Sequence, residues 1–214
     1  LIKFLDKNHK KFKMIIFTGD VLSYPSEKRW NNFIEYINKK TLSFIIAPGN
    51  HDTGSKKENT KRDIFKKIFI WDFPLKIKIN EQHLLIDDTT MNPWKFSKQT
   101  FKLIEDIDFQ PKSNLYIFAH HILRPNPEEI ANSLEDKPND IPNYFFVLSK
   151  YKNKFNNIFI FSGDTGAFPN KPRSECLKKN NISFISQGLG NLDNDEIIFL
   201  DKNKIFKSNL NFEF

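Results

Sequence analysis

Carboxylates, an amide and an imidazole crowd into two short polar clusters of this chain, Gly19-Asp20 and Gly49-Asn50-His51-Asp52. Each follows an apolar run, Met14-Ile15-Ile16-Phe17 in the first case and Leu42-Ser43-Phe44-Ile45-Ile46-Ala47 in the second. Two further apolar runs end in the same manner. Leu115-Tyr116-Ile117-Phe118-Ala119 delivers His120-His121, and Ile158-Phe159-Ile160-Phe161 delivers Ser162-Gly163-Asp164-Thr165-Gly166. Apolar runs of this length bounded by turn residues read as buried strands, and α/β sheets place their sites just beyond the carboxyl ends of strands. Oxygen and nitrogen donors gathered there suit hard or borderline cations and hydrolytic chemistry. Taken singly each cluster has a plainer reading, because Gly-Asp after a strand is an ordinary turn. The four together, in order at one edge of one sheet, point to a site.

The elements that must hold these clusters follow from local patterning. Leu1 to Leu5 with Phe12 reads as the end of an amphipathic helix, and residues 14–18 as a strand. Ser26 can cap a helix through Trp30, Phe33, Ile34 and Ile37, whose spacing defines one face. With the strand at 42–47 this makes a parallel strand-helix-strand crossover. A helix is predicted at 60–69, and Leu75-Lys76-Ile77-Lys78-Ile79 alternates as a half-exposed strand beside His83 to Asp87. Ser97 caps a helix with Phe101, Leu103, Ile104 and Ile107, and another helix is predicted near 143–153. Residues 124–142, with four prolines, read as a long loop shaping the mouth of the site. Strands at 182–185, 196–200 and 204–207 complete a single α/β domain over 1–214.

Composition narrows the partners. The chain has 214 residues, a net charge of +7 and 23 phenylalanines. Its lysines are scattered, with small clusters such as Lys10-Lys11-Lys13 and Lys56-Lys57 and no arginine-rich stripe. That distribution reads as a solvated surface and disfavours nucleic acid as an obligate partner. A single cysteine, Cys176, excludes an intrachain disulfide framework and cysteine-rich zinc motifs. No apolar run approaches the roughly 20 residues of a membrane helix, and a cytoplasmic location is the expectation. The pattern says nothing of oligomeric state.

The ordered clusters resemble the calcineurin-like metallophosphoesterase superfamily, whose motifs run Asp-x-His, Gly-Asp, Gly-Asn-His-Asp/Glu, a late His, and Gly-His-x-His. The resemblance covers essentially the whole chain. It implies a four-layer αββα sandwich, two mixed sheets flanked by helices, with divalent cations (manganese, iron, magnesium or zinc) at the sheet edge. Residue by residue, it implies Asp20 as the metal-bridging carboxylate, Asn50 as an amide-oxygen ligand and His120 as the late metal-ligating histidine. His51 is then the imidazole that contacts phosphate and protonates the leaving oxygen, oriented by Asp52. His121 follows as a residue near the substrate, and Gly188 and Gly190 as a close-packed segment beside the site; Arg124, by its position just after the histidine pair, is a candidate contact for an anionic substrate, with a surface arginine as the plainer reading. The implied activity is hydrolysis of a phosphate ester by in-line attack of a metal-bound hydroxide.

Two departures qualify that expectation. No Asp-x-His precedes Asp20, and the 19 residues before it leave no room for another strand and helix; an amino-terminal truncation is the expectation, with loss of a central strand as the alternative. Gly163-Asp164-Thr165-Gly166 stands in place of Gly-His-x-His. Asp164 can still ligate as a harder oxygen donor, whereas Gly166 cannot. The chain thus keeps Asp20, Asn50, His120 and Asp164 for one metal and only Asp20 for another, favouring oxygen-loving cations over a tight zinc site. The competing reading is a degenerate phosphoesterase fold that binds or scaffolds without catalysis.

Overall fold

The computed structural model describes residues 1–54, 59–108, 110–190, 195–201 and 204–210. The Lys56-Lys57 cluster therefore lies outside the described residues. Strand β1 (Met14–Phe17) pairs in parallel with β2 (Ser43–Ile46), joined by helix α2 (Glu27–Lys39), as the crossover pattern predicts. Ser26 caps α2, its Oγ accepting from the Arg29 N–H at 3.3 Å. Before this unit, helix α1 (Ile2–Asn8) turns Phe4 and Leu5 inward.

The larger element is a six-stranded mixed sheet. Its strands are β3 (Leu75–Ile79), β4 (Gln82–Ile86), β5 (Gln110–Ala119), β6 (Phe155–Ser162), β7 (Ser174–Lys179) and β8 (Ile182–Gln187). Their order across the sheet is β3-β4-β5-β6-β8-β7, with β4, β5, β6 and β8 parallel and both edges antiparallel. Strands β9 (Glu196–Asp201) and β10 (Lys204–Asn209) form a separate antiparallel pair. Among the described residues the second expected mixed sheet is thus replaced by two two-stranded sheets. The four polar clusters accordingly sit at the ends of strands from two sheets, not one.

Alternation along the central strands explains how the sheet is covered. Leu115, Ile117, Ile158 and Ile160 point to one face and pack with Ile104, Tyr144 and Leu148. Those partners come from helices α5 (Lys98–Glu105) and α6 (Tyr144–Ser149). Tyr116, Phe118 and Phe161 point to the other face, where Ile16, Ile45, Ile198 and Ile205 of the two-stranded sheets meet them. On the far side of those small sheets, Ile15, Phe44 and Phe199 pack with Phe4, Leu5 and Ile37 of α1 and α2. Helix α4 (Asn59–Ile68) adds Phe65, which joins Trp30, Ile46 and Phe69 in a further aromatic cluster. This alternation, with both faces of the sheet buried, is what period-two patterning and apolar runs demand.

Two elements escape the sequence reading. Strand β7 carries Ser-Glu-Cys-Leu-Lys-Lys, too polar for a core strand; it is an edge strand, where lysines are tolerated and useful. Helix α3 (Asn50–Thr53) is a single turn built from the Gly-Asn-His-Asp cluster itself. No helix among the described residues is long and apolar enough to cross a membrane.

Candidate active site

The carboxyl ends of β1 and β2 meet those of β5 and β6 at one cluster of side chains. Asp20 leaves β1 through a two-residue turn in which Gly19 has φ +93° and Asp20 itself φ +54°. A left-handed aspartate is uncommon and marks a backbone held in place by its surroundings. Its Oδ1 accepts the backbone N–H of His51 at 3.0 Å, which ties the β1 turn to α3.

His120 is fully buried and comes from the other sheet. Its Nδ1 lies 3.0 Å from the Thr18 carbonyl, which only accepts, so Nδ1 carries a proton. The opposite nitrogen, Nε2, faces Asn50 Oδ1 at 3.0 Å and Asp20 Oδ1 at 3.5 Å. The Asn50 amide is oriented to match, its Nδ2 lying 3.5 Å from Glu135 Oε2. With His120 neutral, Nε2 and the two oxygens gather as acceptors with no proton between them. Positive charge must lie among them, either as a second proton on the imidazole or as a bound cation. Burial works against a charged His120, yet the carboxylates of Asp20 and Asp164 outweigh it and raise the imidazole above its ordinary range.

Asp164 sits beyond β6 and is buried, its carboxyl pushed up to about 6 by burial and by Asp20, against the favourable pull of His120. Its backbone N–H and that of Gly163 both donate to the His120 carbonyl, at 3.1 and 3.0 Å, which joins the ends of β5 and β6. Gly166 brings no donor. Among the described residues no group of three or more His, Cys, Asp or Glu side chains is gathered to hold a metal ion. The third donor at the convergence point is instead an amide, Asn50, and an amide oxygen is an accepted ligand for hard cations. The residues present fit one cation held by Asp20, Asn50 and His120.

Close backbone approach makes the convergence possible. A Cβ on Gly19 would lie 2.4 Å from His120 Nδ1, and one on Gly49 would lie 2.2 Å from Asp20 Oδ1. Gly19→Ala is therefore expected to cost about 1–3 kcal/mol, from the left-handed φ and from displacing a buried ring. A urea titration reads the cost, and the His120 ring resonances read the displacement.

Asp52, His51, His121 and Arg124 each have partners of their own. Asp52 does not bond the His51 ring; its oxygens accept the N–H groups of Leu22 and Gly49, both at 3.1 Å. It caps α3 from within, and burial, with the neighbouring Asp20 charge, pushes its carboxyl up to about 7. The His51 ring is exposed, with Nδ1 3.3 Å from the Ser23 carbonyl, and that carbonyl fixes the tautomer in place of Asp52. His121 turns into the core beside Trp94, at 4.9 Å between ring centroids, and burial together with the His120 charge lowers it well below the usual imidazole range. Arg124 is buried and engaged, with Nη2 2.8 Å from Glu129 and Nη1 2.6 Å from Glu175.

Other residues were not singled out by the sequence reading. Glu135, from the 124–142 loop, reaches Asn50, and Trp94 Nε1–H holds that loop by donating to the Glu135 carbonyl at 3.0 Å. Gly188 and Gly190 pack against the segment that follows β6: a Cβ on Gly188 would lie 1.8 Å from the Thr165 carbonyl oxygen, and one on Gly190 2.4 Å from that of Gly166. The Asp87-Asp88-Thr89-Thr90 run after β4 also carries buried contacts to the site, and its signal was visible: another apolar strand ending in a polar cluster.

Compared with known protein families, residues 1–188 match the calcineurin-like phosphoesterases. No curated protein matches the chain.

Proposed function

Because the chain belongs to the calcineurin-like phosphoesterase family, we propose that it hydrolyses a phosphate ester at the cluster of Asp20, Asn50, His51 and His120, using a divalent cation. One observation carries this reading: Asn50 Oδ1 and Asp20 Oδ1 lie 3.0 and 3.5 Å from His120 Nε2, so that three donor atoms from two sheets gather at one place. When bound, a cation supplies Lewis acidity and lowers the pKa of coordinated water. The chain's own residues do the rest. Asp20, Asn50 and His120 hold the charge that neutralises phosphate oxygens, with Asp164 as a further candidate donor. His51, exposed at the rim, donates its Nδ1–H to the Ser23 carbonyl, and in its doubly protonated form it gives the Nε2 proton to the leaving oxygen and is left as the neutral Nδ1–H tautomer.

The layered packing, helices outside and sheet faces inside, supports the four-layer sandwich and one domain as the fold of this site. Oxygen-rich ligation favours manganese, iron or magnesium. The non-catalytic reading draws on Gly166, which has no side chain to ligate a second metal.

The test uses aryl phosphate mono- and diesters with added Mn²⁺. Wild-type protein is expected to hydrolyse at least one class in a chelator-sensitive manner, and Asn50→Ala to bind Mn²⁺ about 10- to 100-fold more weakly. Chelator-insensitive wild-type turnover, or equal Mn²⁺ affinity in the two proteins, would overturn the assignment. Mn²⁺ binding without turnover would favour the scaffold.

A further inference from the structure

The turn that leaves β4 touches both halves of the donor set without belonging to it. Asp87, Asp88, Thr89 and Thr90 are all buried. Thr89 Oγ1 accepts the His121 N–H at 3.2 Å and lies 3.0 Å from His121 Nδ1, so it fixes the residue next to His120. Thr90 Oγ1 lies 2.9 Å from Thr53 Oγ1, and that hydroxyl donates to the Gly49 carbonyl at 3.1 Å. One turn thus contacts the last residue of α3, which carries Asn50 and His51, and the segment that carries His120.

Arg62 of α4 clamps this turn. Its Nη1 donates to Asp88 Oδ2 at 2.7 Å, and its Nη2 donates to Thr90 Oγ1 at 2.6 Å and to Thr53 Oγ1 at 3.3 Å. Both Nη2 protons are used, one for each hydroxyl. The other Asp88 oxygen accepts the N–H and the hydroxyl of Thr90, at 2.9 and 2.5 Å. A buried ion pair of this kind is no more stabilising than well-packed apolar residues of the same volume. What it supplies is a fixed fork geometry that matches a carboxylate and two hydroxyls at once.

We infer that Arg62 is a positioning residue, which sets the placement of the Asn50-His51 turn through Thr53 and the Asp88–Thr90 turn. Its effect on turnover rests on the phosphoesterase reading; its effect on α3 does not. Lysine at this position keeps the charge and loses the fork, so Arg62→Lys separates the two.

The test compares the wild-type chain with Arg62→Lys, Thr90→Val, Thr90→Ser and, as a control on the same helix, Lys67→Ala, whose partner is the exposed Glu27. The first readout is amide exchange at Asp52, Thr53 and Gly54, whose N–H groups donate to Gly49 and Asn50 carbonyls, against Ile160 in β6. Arg62→Lys and Thr90→Val are expected to speed the α3 amides about tenfold while Ile160 stays unchanged. Thr90→Ser, which keeps the hydroxyl, restores wild-type exchange, and Lys67→Ala never departs from it. Uniform acceleration across α3 and β6, or none at α3, would overturn the inference and leave Arg62 a stabiliser only. The second readout is aryl phosphate turnover with Mn²⁺, where Arg62→Lys and Thr90→Val lower kcat about 10- to 100-fold with KM little changed. A wild type that turns over no ester, with the exchange pattern as expected, overturns the phosphoesterase reading and supports the positioning role. An active wild type with kcat and exchange unmoved in Arg62→Lys and Thr90→Val overturns the positioning role alone.

Discussion

His51→Ala is expected to lower turnover of an aryl phosphate about 10²–10⁴-fold, the range for removing a positioned general acid. The same change should leave Mn²⁺ affinity near wild type, because the His51 ring bonds Ser23 and is absent from the convergence of Asp20, Asn50 and His120. Only its backbone N–H reaches Asp20, and alanine keeps that N–H. Leaving-group dependence sharpens the test. A substrate with an acidic phenol needs little protonation, so the loss should shrink for nitrophenyl esters and grow for alkyl esters. Steady-state kinetics across such a series, with calorimetric Mn²⁺ titration alongside, measures both arms. Equal loss for every leaving group would remove the acid role from His51.

The largest expected effect on stability lies at Trp30. It is fully buried on α2 and meets Phe33, Phe65 and Phe69 edge-on, with ring centroids 5.9, 5.6 and 5.1 Å away. Trp30→Ala is expected to cost about 3–5 kcal/mol, from lost transfer energy and the cavity left between α2 and α4. Trp30→Phe should cost much less. The indole Nε1–H has no hydrogen-bond partner among the described residues, and removing a buried unsatisfied donor recovers part of the lost packing. Urea unfolding followed at constant m-value checks both variants. A Phe variant as unstable as the Ala variant would mean that volume alone governs this site.

The core elements were legible because their patterns are one-dimensional. Apolar runs gave β1, β2, β5, β6 and β8, and the serine caps at Ser26 and Ser97 marked where α2 and α5 begin. What remained hidden depends on distance in three dimensions. The split of the strand ends between two sheets is a matter of pairing, which apolarity does not encode. The resemblance implies that Asp52 orients His51, but successive residues on a helical turn point apart, and the Asp52 oxygens accept from Leu22 and Gly49. Arg124 stands next to the histidine pair in sequence, but of its two carboxylate partners only Glu129 is nearby in sequence; Glu175 comes from β7, 51 residues away. The β7 strand was missed because an edge strand can be polar. By contrast, Asp20, Asn50 and His120 do meet, from positions 30 and 70 residues apart, and only the fold makes them neighbours.

His120 and the turn that holds its Nδ1 follow strands of different sheets, between which the described residues form no strand pairing. An ion seated at the convergence point would therefore act as a rivet, coupling the unfolding of the two-stranded β1–β2 sheet to that of the six-stranded one. Mass action then raises the melting temperature with cation concentration, by about 2.7 kcal/mol of added stability at 100 times the dissociation constant. A thermal-shift series across Mn²⁺, Mg²⁺, Fe²⁺ and Zn²⁺ would rank the ions by affinity before any substrate is known. It would also show whether a chain that melts in two steps without an ion melts in one with it.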